Sequence, residues 1–177
     1  MSAKISGPVA TSKSPVTTDK TIETIQIVEF VLGNEHFAID LFDVKEVVEY
    51  TTITRLPNLP SYVKGIIDLR GEITMIIDLK HRLNIPEELE TSIESSRIIV
   101  LDDKIAESKT GILVDDVTSV STFDGNQVDH TSASVSKEET SIIGIIKRKV
   151  KAGDKEVNEL IIWIDIRHLL SDIEIAA

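Results

Sequence analysis

The chain contains no cysteine, which removes disulfides, thiolate metal sites and cysteine nucleophiles and fits a reducing compartment. Aromatic residues make up only 4%, too few to stack bases along a nucleic-acid groove or to line an aromatic ligand pocket. Positive charge is also short. Nineteen Lys and Arg stand against 30 Asp and Glu, a formal net charge of -11, and such a surface repels a phosphate backbone or an anionic lipid layer. No apolar run approaches the ~18 residues of a membrane-spanning helix, and the N-terminal MSAKISGPVATSKSPVTTDK lacks the apolar core of a signal peptide. The expectation is a soluble cytoplasmic protein.

What is present is branched apolar sequence: 41% hydrophobic residues over 177 positions, dominated by Val and Ile. That is enough to bury the core of one ordinary domain or two small ones, and it favours strands. Residues 1–22 are rich in Ser, Thr, Lys and Pro and are too polar to offset the entropy of ordering, so they are expected to form a disordered tail. Residues 23–170 hold the fold, and 171–177 a short C-terminal tail. Strand patterns run over Thr24–Leu32, His36–Ile39 and Val44–Tyr50. A hairpin then turns at Arg70-Gly71 between Ile66, Ile67 and Leu69 on one side and Ile73, Met75, Ile76 and Ile77 on the other. Gly71 permits the sharp reversal, which leaves Arg70 charged at the turn. Asp78–Leu83 reads as one helical turn ended by Asn84 and Pro86. Beyond the acidic linker Glu87–Ser96, strands are expected at Arg97–Leu101, Gly111–Val114 and Val117–Phe123. After the polar stretch Asp124–Thr140 come Ile142–Lys147 and Glu159–Asp165, joined around Gly153-Asp154, and then a helical IleArgHisLeuLeu.

The halves match in order. AIDLFDVKEV from Ala38 corresponds to GILVDDVTSV from Gly111, GII at Gly65 to GII at Gly144, and IIDLKHRL ending at Leu83 to IWIDIRHLL ending at Leu170. Three ordered matches predict an internal duplication of a unit of roughly 70 residues. A unit that small buries too little surface alone. The predicted fold is therefore all-β: two five-stranded SH3-like barrels packed around a shared core, one formed mainly by 23–86 and the other mainly by 97–165, with strands exchanged between them.

The series Val44, Glu46, Val47, Leu56, Pro57, Pro60, Val63, Gly65, Leu69, Arg70, Gly71, Ile77, Asp78, Leu79 resembles the CheW family of chemotaxis coupling proteins, over about Ile25 to Leu170. Where the family commonly has Asn before LeuArgGly, this chain has Asp68. The resemblance implies a non-enzymatic adaptor without cofactors. Its implied partners are the regulatory domain of a chemotaxis histidine kinase and the cytoplasmic tips of methyl-accepting chemoreceptors, in arrays at the membrane. It implies receptor contacts at Val44, Glu46, Gly65, Arg70, Arg97 and Gly111, and kinase contacts at Val47, Ile53, Ile66 and Ile67. It also implies that Glu46 pairs with Arg70, with Gly71 shaping the turn.

Other chemistry has little support. The histidines, His36, His81, His130 and His168, lack ligand spacing, so no metal site is expected. No phosphate-cradling or nucleophile-elbow motif occurs. A small β-barrel hydrolase using Asp78, Asp115, Asp116 and Asp165 is the alternative function, but Asp78 and Asp165 close equivalent strands, where they more simply cap helices. Val44 and Val47 stand three apart and cannot share a face of a regular strand unless a bulge intervenes.

Overall fold

A computed structural model describes residues 23–87, 93–130 and 141–171. The expected tail at 1–22, residues 172–177 and parts of both polar linkers lie outside the described residues. Eleven strands and two short helices follow in order: β1 (Thr24–Leu32), β2 (Glu35–Asp40), β3 (Val44–Glu49), β4 (Val63–Leu69), β5 (Glu72–Asp78), α1 (Leu79–Arg82), β6 (Arg97–Leu101), β7 (Thr110–Val114), β8 (Asp116–Asp124), β9 (Val128–Asp129), β10 (Ile142–Ala152), β11 (Lys155–Ile164) and α2 (Ile166–Ser171). The fold is all-β.

Sheet A runs β8-β1-β2-β11-β10-β9 and sheet B runs β3-β6-β7-β5-β4. Sheet A thus has six strands where five were expected, because the two-residue β9 pairs with β10 at Ile145 and Ile146. Sheet B carries the same feature in reduced form, a single bridge between Thr54 and Ile66. If β1 is matched to β6, β2 to β7, β3 to β8, β4 to β10 and β5 to β11, the two sheets have one strand order. Each is built from the first two strands of one repeat and the last three of the other.

The register agrees residue by residue. Ile76 lies opposite Gly111 in the parallel β5/β7 pair, and the matching Trp163 lies opposite Ala38 in β11/β2. Both long hairpins slip register at the same place, between Val63 and Gly65 and between Ile142 and Gly144.

Strands from both ends of each sheet feed one apolar cluster, so each sheet curls around its own core. In sheet A, Phe123 of β8 and Val128 of β9 join Ile27, Ala38, Ile146 and Ile161. In sheet B, Ile67 of β4 joins Ile76, Ile98 and Val100, with Val48 of β3 packed against them. The opposite faces of the two sheets meet in a larger central cluster that includes Val28, Phe30 and Ile39 from one and Ile77, Ile99 and Ile112 from the other. Strands buried on both faces carry unbroken apolar runs, which explains the isoleucine-rich blocks in the sequence.

The chain crosses between sheets twice, at the 3-10 turn Leu41–Asp43 and at Asp115. Each crossing is held by a cation from the helix that closes a repeat. Lys80 of α1 reaches Asp115 at 2.8 Å in a nearly buried pair, and Arg167 of α2 reaches Asp43 at 3.4 Å in a more open one. Asp115 also accepts the Gly33 N–H at 2.7 Å. Asp78 caps α1 by accepting the Lys80 and His81 N–H groups, and Asp165 accepts the His168 N–H at 3.2 Å.

Candidate functional site

The β4–β5 hairpin ends in a two-residue loop, since Leu69 pairs with Glu72. Arg70 has φ 53 and Gly71 φ 83, the two positive values that a turn matched to strand twist requires. Arginine is not favoured there, and a left-handed non-glycine residue costs about 1 kcal/mol. The Asp68 Oδ1 accepts the Gly71 N–H at 2.8 Å, so the residue that departs from the family pattern braces the turn, as the amide oxygen of an Asn would.

Arg70 is 75% exposed, yet its guanidinium is engaged: Nη2 lies 2.9 Å from Glu46 Oε2 and Nη1 donates to Glu46 Oε1 at 3.3 Å. This two-pronged pairing fixes the orientation of both groups. Glu46 lies on β3, at the end of the strand order opposite the β4–β5 hairpin, so the pair closes over the curled sheet. Beneath it a shallow cleft of about 60 Å³ has Leu69, Val100 and Leu101 in its lining. Its rim is ionic. Lys109 pairs with Glu72, and Lys45 with Asp103 at 3.6 Å. The hydrogen bond to Glu72 holds the Lys109 ammonium above its usual range.

The other expected receptor residues distribute unevenly. Gly65, Ile76, Gly111, Val100 and Glu46 form one continuous row across all five strands of sheet B, which brings three of the expected positions into a single line. Gly65 and Gly111 are themselves buried. A Cβ on Gly65 would sit 2.1 Å from the Thr54 carbonyl oxygen, and one on Gly111 2.8 Å from Ile98 Cγ2. Both glycines shape the barrel rather than face solvent. Val44 packs against the central cluster, and Arg97 donates to the Glu94 and Ser96 carbonyls at the far end of β6. Neither is gathered with Glu46 and Arg70.

Among the expected kinase contacts, Val47 is 41% exposed and Ile53 and Ile66 are half-buried beside the Thr54–Ile66 bridge. Ile67 is 3% exposed inside the sheet B core, and its side chain offers a partner no surface. A register shift between Val44 and Glu46 is a bulge that would let the two valines take one face, yet only Val44 packs against the core. Of the two valines, Val47 is the exposed one.

The sequence reading missed a polar ladder across sheet A. Glu29 of β1 is 1% exposed and receives Arg148 of β10 at 2.8 and 2.9 Å, while Arg148 also binds Glu159 of β11 at 2.6 Å. His36 of β2 places its two ring nitrogens 3.1 Å from Glu29 and from Glu159, and Ser119 of β8 lies 3.3 Å from Glu29. A carboxylate at the strand position that holds Val100 in the other repeat was the one signal available. Glu29, His36 and Glu159 are close enough together to suggest a metal site, but the Arg148 guanidinium already supplies their positive charge. In a second such grouping, Asp78, His81 and Glu87, Asp78 is committed to capping α1.

Three of the four carboxylates of the hydrolase alternative are likewise committed, Asp78 and Asp165 to helix caps and Asp115 to Lys80 and Gly33, which leaves Asp116 without them as a catalytic set. Among the described residues no helix is long and apolar enough to cross a membrane.

A CheW-like domain model matches residues 26–174. The chain is 31% identical to chemotaxis protein CheW of Treponema pallidum, with 86% of each chain covered. It is 31% identical to that of Bacillus subtilis, covering 70% of this chain and 78% of the relative. Among solved structures, the crystal structure of scaffolding protein TtCheW from Thermoanaerobacter tengcongensis superimposes with a TM-score of 0.67 at 35% identity, covering 84% of this chain and 93% of that one. The exchanged double barrel and these relatives agree: the chain belongs to the CheW-like family.

Proposed function

We propose that this chain couples chemoreceptors to a chemotaxis histidine kinase by offering them separate surfaces of sheet B, within arrays at the cytoplasmic side of the membrane. As a member of its family it is a non-enzymatic chemotaxis adaptor. The observation that carries the partner assignment is the Glu46–Arg70 pair, held rigidly on a left-handed turn, open to solvent and set over an apolar-floored cleft. A fixed guanidinium–carboxylate pair costs little entropy to engage, so it suits orientation-specific recognition of a receptor tip. The kinase regulatory domain is assigned to the neighbouring edge, where Val47 is exposed and Ile53 and Ile66 are partly so. Gly65 and Gly111 shape the barrel that carries this surface, while Val44 and Arg97 lie apart from the Glu46–Arg70 pair.

Each contact need only be modest, because repetition in an array raises the effective concentration of every partner. A change at the receptor reaches the kinase only if the adaptor's contact energies differ between the two signalling states. A pull-down from native lysate with the purified chain should recover a multidomain histidine kinase together with coiled-coil receptors. Recovery of neither under gentle conditions would overturn the proposal.

A further inference from the structure

The two repeats part company at their last hairpin. The β4–β5 hairpin turns immediately after the Leu69–Glu72 pair. The matching Arg148–Glu159 pair is followed by four more cross-strand pairs, out to Ala152–Lys155, before Gly153 (φ 65) and Asp154 reverse the chain. Residues 149–158 thus form an arm that extends about 14 Å beyond its counterpart, at roughly 3.4 Å per residue. Among the described residues no strand covers it, since β9 meets β10 only at Ile145 and Ile146 and β2 meets β11 only at residues 161–163. Every residue from 151 to 158 is exposed. A bare two-stranded ribbon buries little and adds almost nothing to the stability of the fold. Its root is nevertheless stiff, because Arg148 is tied to Glu29 and Glu159 in the sheet A ladder.

Alternation on β10 puts Lys147, Lys149 and Lys151, all exposed, on one face, at a spacing of about 7 Å. This basic stripe stands on a chain of net charge -11. Lysines at a strand edge also block edge-to-edge pairing between copies, so the arm of a second molecule is repelled. The arm contains no aromatic residue for stacking on bases or settling into a lipid interface. The chain already shows what does fit the edge. β9 lies along β10 as an added strand, and its Asp129 carboxylate sits 3.5 Å from Lys147 Nζ.

The geometry points to the arm as a docking edge for an extended acidic segment of another protein, added as a strand to β10 with carboxylates at alternate positions facing Lys149 and Lys151. Main-chain pairing supplies the attachment and the lysine spacing selects the partner. This assignment goes beyond the receptor and kinase contacts and uses none of their residues.

The test is fluorescence anisotropy of the full chain with a labelled peptide of alternating Glu and Val, against a peptide of the same composition with its glutamates contiguous. Two variants accompany the natural chain: Lys149→Glu with Lys151→Glu, and a chain whose residues 149–158 are replaced by Arg-Gly, the loop of the first hairpin. The alternating peptide should bind in preference to the contiguous one and weaken with added salt. The charge reversal should lower affinity by about tenfold or more, and the shortened chain should show no measurable binding while keeping its circular dichroism and melting temperature. Should the shortened chain fail to fold, the charge-reversed chain decides the matter. Equal peptide binding by the altered arms, or no binding by the natural chain, would overturn the assignment. So would tighter, arm-dependent binding of heparin or phosphatidylglycerol vesicles.

Discussion

At Arg70, stability and the proposed recognition role can be tested separately at a single residue. Its φ of 53 carries a strain that glycine would not, and its exposed ion pair contributes little to folding. Arg70→Gly should therefore leave stability unchanged or raise it by about 0.5–1 kcal/mol, measured by urea denaturation. Binding to a purified receptor cytoplasmic fragment should fall about tenfold, the scale of one lost oriented ion pair. Unchanged receptor binding would remove Arg70 from the site.

Glu29 behaves in the opposite way. Burial alone would push its carboxyl up, but the Arg148 guanidinium, helped by Ser119 and His36, more than offsets this and holds it below the usual carboxylate range. A depressed folded value means that the stabilisation is present above the unfolded value and is lost as pH falls through the folded one. Arg148→Met strands a buried carboxylate and should cost roughly 3–5 kcal/mol near neutrality. That cost should shrink in acid as Glu29 takes up a proton, and a pH-independent cost would contradict the account. The two residues also differ in how readable they were. The Arg70 turn is local and could be read from the sequence, whereas Glu29 and Arg148 are 119 residues apart and only the fold joins them.

At the scale of elements, the two crossings between sheets are clamped by related ion pairs of unequal burial. Lys80–Asp115 is nearly enclosed, and Arg167–Asp43 is open on the arginine side. Lys80→Met should cost about 3–5 kcal/mol because the buried Asp115 loses its counter-charge, though it keeps the Gly33 N–H, while Arg167→Met should cost about 1 kcal/mol or less. Thermal melts of the two variants check this, and equal losses would mean that burial is not the deciding factor. Asp43 fits the weaker role, since burial pushes its carboxyl up despite Arg167. Its contribution is greatest in acid and declines as pH rises through the folded value. Gly65→Ala should be among the most damaging substitutions in the chain, because its φ is 150 and a Cβ would collide with the Thr54 carbonyl.

Strand positions, the hairpin and both capping aspartates were readable, because alternation, Gly-containing turns and a terminal Asp are local signals. As an apolar strand residue Ile67 reads by default as core, and it is the family resemblance that makes it a kinase contact; the structure keeps it in the sheet B core, where Gly65 and the Thr54 bridge set the register. The length of the β10–β11 arm was hidden. The expected strands stop at Lys147 and resume at Glu159, because its Lys and Glu residues carry little apolar alternation, and only cross-strand pairing shows 148–158 to be strand and turn.

For the molecule as a whole, the exchange of strands makes the halves inseparable. Each barrel takes two strands from one repeat and its remaining repeat-matched strands from the other, and both pack on one central cluster. Neither residues 1–92 nor residues 93–177 should fold alone. Mixed, they should associate and regain the β-sheet circular dichroism of the intact chain, whereas an independently folded fragment would contradict the shared core. The same construction leaves sheet B with a charged cleft and the exposed Glu46–Arg70 pair while sheet A fills its counterpart with the Glu29–Arg148 ladder. One pseudo-symmetric molecule thereby presents two chemically different faces.

The most direct measurement is co-sedimentation of the purified kinase with receptor-bearing membranes, with no adaptor, with the natural chain and with Arg70→Gly. The account predicts that the natural chain carries the kinase into the pellet. It predicts that Arg70→Gly stays with the kinase in the supernatant while still binding the kinase's regulatory domain in isolation. Kinase sedimentation that is independent of the chain, or that is restored fully by Arg70→Gly, would contradict it.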